Sequence, residues 1–144
     1  MEECNPIFIL GISRSGTSLI TRILDRHPNI SIYMETNFFE RVWEKSDDKF
    51  IWDEETFEKT LCEISHLDRE GINIKSVKEG FFKTNRYLMA LFDEIIKNKM
   101  INNTKKRFGE KTPSENLLYL ETLLDYYQNA NLIFIFRDPR NVYS

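Results

Sequence analysis

A chain of 144 residues, 41% apolar and 30% charged, is long enough for one domain with a real core, and its composition excludes a disordered or low-complexity protein. A formal net charge of −3 gives no support to nucleic acid or an anionic membrane as partner, while leaving room for a local basic site that takes a small anion. No apolar run approaches the roughly 20 residues of a membrane helix, the start MEECNP has no signal-peptide character, and Cys4 and Cys62 have no metal-ligand spacing. The expectation is a protein of a reducing, cytoplasmic compartment, with no membrane insertion, no nucleic acid and no metal.

In chain order, residues 6–11 (PIFILG) read as a buried strand closed by Gly11. Residues 16–26 read as a helix with Leu19, Ile20, Ile23 and Leu24 on its inward stripe, stopped by His27-Pro28-Asn29. Ile30 to Tyr33 is a short strand, and a helical run from Glu35 through Phe38, Phe39, Val42 and Trp43 follows. A helix opens at Asp53-Glu54-Glu55, with acids where the helix dipole favours them, and runs to about Ser65 with Phe57, Leu61 and Ile64 inward. Residues 66–80 read as a loop with a helical turn. The longest helix is expected over 82–100, with Leu88, Leu91, Phe92, Ile95 and Ile96 at helical spacing, and Lys105-Lys106-Arg107 as a solvated loop after it. Thr112, Pro113 and Glu115 form a helix start of cap, proline and capping-box acid, for a helix to about Tyr127 that buries Leu117, Leu120 and Leu124. Leu132 to Phe136 (LIFIF) is a continuous apolar strand, as expected where both faces are covered.

Strands alternating with helices imply a parallel sheet with right-handed crossovers. The fold class is therefore α/β, a P-loop-like three-layer α/β/α domain. The chain closes on Arg137-Asp-Pro-Arg-Asn-Val-Tyr-Ser144 just after a strand. A parallel domain does not normally stop on the way into its next helix, so residues 1–144 are expected to be the N-terminal portion of a single domain, incomplete at its C-terminus.

The chemistry gathers in the first loop. Gly11-x-x-x-x-Gly16-Thr17-Ser18 has the form of the nucleotide-binding loop G-x-x-x-x-G-K-[ST], with Thr17 at the lysine position. In a nucleoside triphosphatase that lysine reaches the β- and γ-phosphates and the next hydroxyl holds magnesium. Here the loop carries Arg14 instead, a planar fork of donors suited to two oxygens of one phosphoryl or sulfuryl group. Left at that, the loop suits a less charged ligand without metal, or simply joins a strand to a helix.

Arg14-Ser-Gly-Thr-Ser-Leu19 after a strand, then His27-Pro28, then Glu35-Thr36-Asn37-Phe38-Phe39, together resemble a sulfotransferase that uses 3′-phosphoadenosine 5′-phosphosulfate (PAPS), in the branch of bacterial sulfotransferase-family proteins and protein-tyrosine sulfotransferases. Gly109-Glu-Lys-Thr-Pro113 is similar to a mid-domain loop of that family, and Phe134-Ile-Phe-Arg-Asp-Pro-Arg140 to its strand and loop for the 3′-phosphate. The resemblance implies that Arg14, Ser15, Gly16, Thr17 and Ser18 contact the 5′-phosphate, that Glu35 is the catalytic base, that Lys111 lies near the transferring sulfuryl group, and that Arg137 grips the 3′-phosphate. Ser144 stands one position short of where the family keeps the serine partner of that arginine. Asn37 stands where the tyrosine-sulfating enzymes have an arginine near the acceptor. The acceptor implied is a carbohydrate, lipid, peptide or small molecule with a hydroxyl or amine.

Bland readings stand beside these. Glu35 also reads as a carboxylate that caps or pairs with its following helix, Lys111 as a solvated loop lysine before a capped helix, and Arg140 as a partner of an acid or of solvent. Phe38, Phe39, Trp43, Phe81 and Phe82 read as core. The competing functions are a magnesium-dependent P-loop kinase and a non-catalytic nucleotide-binding fragment.

Overall fold

The computed structural model describes residues 5–112, 114–138 and 140, and only the backbone of residues 114–116. Four parallel strands form one sheet: β1 (Ile7–Gly11), β2 (Ile30–Tyr33), β3 (Arg107–Lys111) and β4 (Asn131–Ile135), in the order β2-β3-β1-β4. Helix α1 (Thr17–Asp25) links β1 to β2. A short π-helical turn (Phe39–Trp43) and helices α2 (Glu54–Glu63), α3 (Ile74–Phe81) and α4 (Leu88–Asn102) fill the connection from β2 to β3. A 3₁₀ turn (Ser114–Tyr119) and α5 (Leu120–Tyr126) lead to β4. The expected α/β class with an all-parallel sheet and helices on both faces is what the chain adopts.

Side-chain alternation along the strands makes two cores of different size. Phe8, Tyr33 and Phe108 point to the face covered by α4, where Phe92, Ile95 and Ile96 meet Phe38, Phe39 and Tyr127 in one aromatic cluster. Ile7, Ile9 and Ile32 point to the other face, where Ile20 and Leu24 of α1 pack with Ile133 and Ile135.

Several expectations need correction. On α1 the buried residues are Thr17 and Thr21, while Leu19 is 63% and Ile23 56% exposed. The helix lies close over the sheet on its threonines, and Thr21 satisfies its hydroxyl on Thr17 O at 2.9 Å, which leaves Leu19 exposed beside β4 and Ile23 in solvent. Among the described residues β4 stands at the edge of the sheet and is not covered on both faces: Phe134 is 45% exposed, and Phe136, just after the strand, 88%. Residues 66–80 are not mainly loop: α3 begins within them at Ile74 and runs to Phe81, capped by Asn73 through Ser76 N. Residues 82–87 lie outside α4. The run Lys105-Lys106-Arg107 is not a solvated loop throughout, because Lys105 pairs with Asp25 and Arg107 opens β3. Beyond it, the expected single helix over 112–127 is broken into the 3₁₀ turn and α5, with Leu123 rather than Leu117 or Leu124 buried. Thr112 donates its hydroxyl to Ile9 O at 3.0 Å, tying the end of β3 to β1. Pro113 and the Glu115 side chain lie outside the described residues. Helix α2 follows its expected pattern, with Asp53 accepting from Thr56 N at 2.8 Å and Phe57, Leu61 and Ile64 buried.

Candidate active site

The site lies where the carboxyl ends of β1, β2 and β3 meet. The loop after β1 is shaped by two glycines. Gly16 has φ 106°, a left-handed conformation that strains any side chain, and its carbonyl accepts from Leu19 N and Ile20 N to start α1. Gly11 allows close approach: a Cβ there would lie 2.8 Å from Ser15 Oγ and 2.9 Å from both Ile135 O and Thr17 Cγ2. Between them Ser15 N donates to Ile12 O at 3.1 Å, and Arg14 takes φ 64° with its side chain in solvent. The Thr17 and Ser18 amides, the first two of α1, have no acceptor within the helix. Ser15 Oγ is buried and has no partner among the described residues. An unpartnered hydroxyl, two free helix-start amides and an exposed cation fit a small tetrahedral anion.

A cavity of about 560 Å³ opens beside this loop, lined on one side by Gly11, Ser13, Arg14, Thr17 and Ser18. The opposite wall comes from far along the chain. Glu35, Asn37 and Glu40 follow β2, and Lys111 and Thr112 end β3. Glu35 and Lys111 form an ion pair across that wall, with side chains 27% and 14% exposed. Glu35 therefore does not pair with its following helix, and Lys111 is no solvated loop lysine. Tyr33 lies opposite Glu110 in the β2–β3 register, which brings the residue two beyond Tyr33 level with the strand end that carries Lys111.

Beneath that pair sits a group that the sequence reading passed over. Glu110 is fully buried, and its Oε1 accepts from Thr36 N at 2.5 Å and Thr36 Oγ1 at 2.6 Å. Its Oε2 has no partner among the described residues. Burial pushes the Glu110 carboxyl up to about 7; the Thr36 hydrogen bonds pull against this, nearby Glu35 adds to it and Lys111 opposes it. The signal in the sequence was the acid two positions after Phe108. Once 107–111 is a strand, alternation puts Glu110 on the same aromatic face as Phe108.

The remaining expected residues are distributed as follows. Ser15 and Gly16 lie on the far side of the loop, toward Leu19 and Ile133–Phe136, rather than in the main cavity. Arg137 reaches back over 123 residues to donate from Nη1 to Arg14 O at 3.2 Å, which brings it to the loop but not to the cavity wall. Ser144 lies outside the described residues. Arg140 pairs with Asp138 at 2.6 Å in solvent. Phe38, Phe39 and Phe81 are core, with Trp43 and Phe82 packed against them. Asn37, at φ 53°, donates from Nδ2 to Ser65 Oγ at 2.8 Å. Among the described residues no cluster of metal-ligating side chains occurs and no helix is long and apolar enough to cross a membrane. Residues 6–144 match a family model described as "Sulfotransferase family". The comparison with curated proteins gave no match.

Proposed function

The chain belongs to the sulfotransferase family, and from that premise we propose that it moves a sulfuryl group from PAPS to a hydroxyl or amine acceptor, with Glu35 as the base. The observation that carries this reading is the meeting of Arg14, Glu35 and Lys111, one from the end of each of three strands, around a single cavity. Ligand sites of parallel α/β sheets form at that edge.

PAPS, when bound, supplies an electron-poor sulfur whose bond to the 5′-phosphate oxygen breaks as its bond to the acceptor forms. The protein's share is positioning and charge. The amides opening α1, with Thr17 and Ser18, hold the 5′-phosphate, and the buried Ser15 hydroxyl gains a partner. Arg14 swings from solvent onto the phosphate as a fork of donors. Arg137, already at the loop, holds the 3′-phosphate, with Ser144 as its proposed companion. Glu35 takes the acceptor's proton on a carboxylate oxygen, and Lys111 Nζ orients that carboxylate and offsets charge on the sulfuryl oxygens.

Calorimetric titration with 3′-phosphoadenosine 5′-phosphate (PAP) and with ATP tests the reading. PAP should bind without magnesium, and Arg14→Ala and Arg137→Ala should each weaken it, by about 10- to 100-fold for the loss of a charged hydrogen-bonding group. Magnesium-dependent ATP binding with no response to PAP would replace this function with a kinase. Equal PAP affinity in all three proteins would remove the assigned phosphate contacts.

A further inference from the structure

We infer that Glu110 is a positioning residue for the transfer: its buried carboxyl, on the core side of β3, clamps the turn that carries Glu35, so that Glu35 meets Lys111 over the end of the sheet. The inference rests on the reading of Glu35 as the base.

A charged side chain inside an aromatic core is costly unless it is paired. Glu110 projects to the same face as Phe8, Tyr33 and Phe108, all of them buried, while its neighbour Lys111 projects to the opposite face. Stability alone would favour an apolar residue there. What Glu110 does instead is bind both donors of Thr36, the residue next to Glu35, through one oxygen. Thr36 Oγ1 also accepts from Phe38 N at 3.1 Å, and Thr36 O accepts from Ser65 N at 2.9 Å. Every polar atom of Thr36 is therefore held, and two of those bonds end on Glu110. Residues 110 and 111 thus grip the 35–36 turn from two sides: Glu110 from below through Thr36, Lys111 from above through the Glu35 carboxylate.

Only Oε1 is used. The unpartnered Oε2 can carry a proton, and a neutral acid with its proton there leaves the Thr36 clamp intact. The clamp needs a fixed carbonyl-type acceptor, not a charge. Glutamine keeps such an acceptor; alanine does not. An unanchored turn would shift Glu35 by a fraction of the cavity's width, and misplacement of about 1 Å costs roughly 100-fold in rate.

The experiment measures three quantities on the protein and its Glu110→Gln, Glu110→Ala and Thr36→Val variants: PAP affinity, turnover of PAPS read as PAP released, and hydrogen exchange at the Thr36 amide. Glu110→Gln should keep wild-type exchange protection and kcat within about threefold. Glu110→Ala should lose that protection and about 100-fold in kcat with PAP affinity unchanged. Thr36→Val, which removes the hydroxyl that donates to Glu110 and accepts from Phe38 N but keeps the Thr36 amide bond to Glu110, should lose about 10-fold and serves as the test where Glu110→Ala does not fold. Wild-type kcat in Thr36→Val and Glu110→Ala, or equal damage from glutamine and alanine, overturns the inference. Glu35→Gln is run in parallel: full turnover there removes the base reading, while Thr36 exchange still decides the clamp.

Discussion

The two walls of the cavity are built in opposite ways. The loop wall, Gly11 to Ser18, is contiguous, set by local backbone geometry, and leaves its cation in solvent. The Glu35–Lys111 wall joins residues 76 positions apart and is held by a buried carboxyl, an ion pair and strand register. A wall made of backbone amides tolerates loss of single side chains with graded loss of binding. On the proposed function, a wall made of converging side chains from distant elements should fail when one anchor goes, and in the chemical step rather than in binding.

The largest expected difference between the walls is in turnover. Glu35→Gln should lower kcat by about 10²–10⁴-fold, the range for a positioned general base, with PAP affinity unchanged; steady-state kinetics beside calorimetry would show it, and a matching loss of affinity would erase the distinction. Next comes a pH effect confined to the second wall. The Glu110 carboxyl is pushed up to about 7 in the folded protein, so the folded state holds a proton that the unfolded chain has released. This contribution to stability is full below the ordinary carboxylate range and is lost as pH rises through about 7. Urea unfolding at pH 5 and pH 8 should differ by on the order of 2–3 kcal/mol from this group. Glu110→Gln should flatten that slope, and an unchanged slope would return the pH dependence to other groups.

On the loop wall, Arg14→Ala should cost binding rather than stability, since the side chain is exposed; the affinity loss is about 2 kcal/mol and the melting temperature should stay put. The effect expected at Gly11 ranges from comparable to negligible, according to whether the loop yields. Ala there places a Cβ within 2.9 Å of Ser15, Ile135 and Thr17 atoms, a crowding worth about 1–3 kcal/mol if the loop cannot yield and less if it can. Thermal unfolding reads the first case, and unchanged stability with altered PAP affinity reads a loop that has moved.

Much of the molecule follows from the chain order of residues alone. The α/β class, strands β1, β2 and β4, helix α2 and the buried face of α4 all follow from apolar runs, caps and helical spacing, because each is a local consequence of side-chain periodicity. The loop is legible for the same reason: Gly11 and Gly16 encode its backbone directly. What tertiary structure alone decided is which surfaces meet. Strand β3 was hidden because Arg107-Phe-Gly-Glu-Lys111 is too polar to look buried, yet it lies between β1 and β2 and carries both Glu110 and Lys111. The inward face of α1 went to Thr17 and Thr21 because small residues let the helix sit close on the sheet, a preference that hydrophobic spacing does not express. The Glu35–Lys111 pair and the Glu110–Thr36 clamp beneath it exist only once β2 and β3 align in register, since charge and hydrogen-bonding partners so far apart in sequence leave no periodic trace.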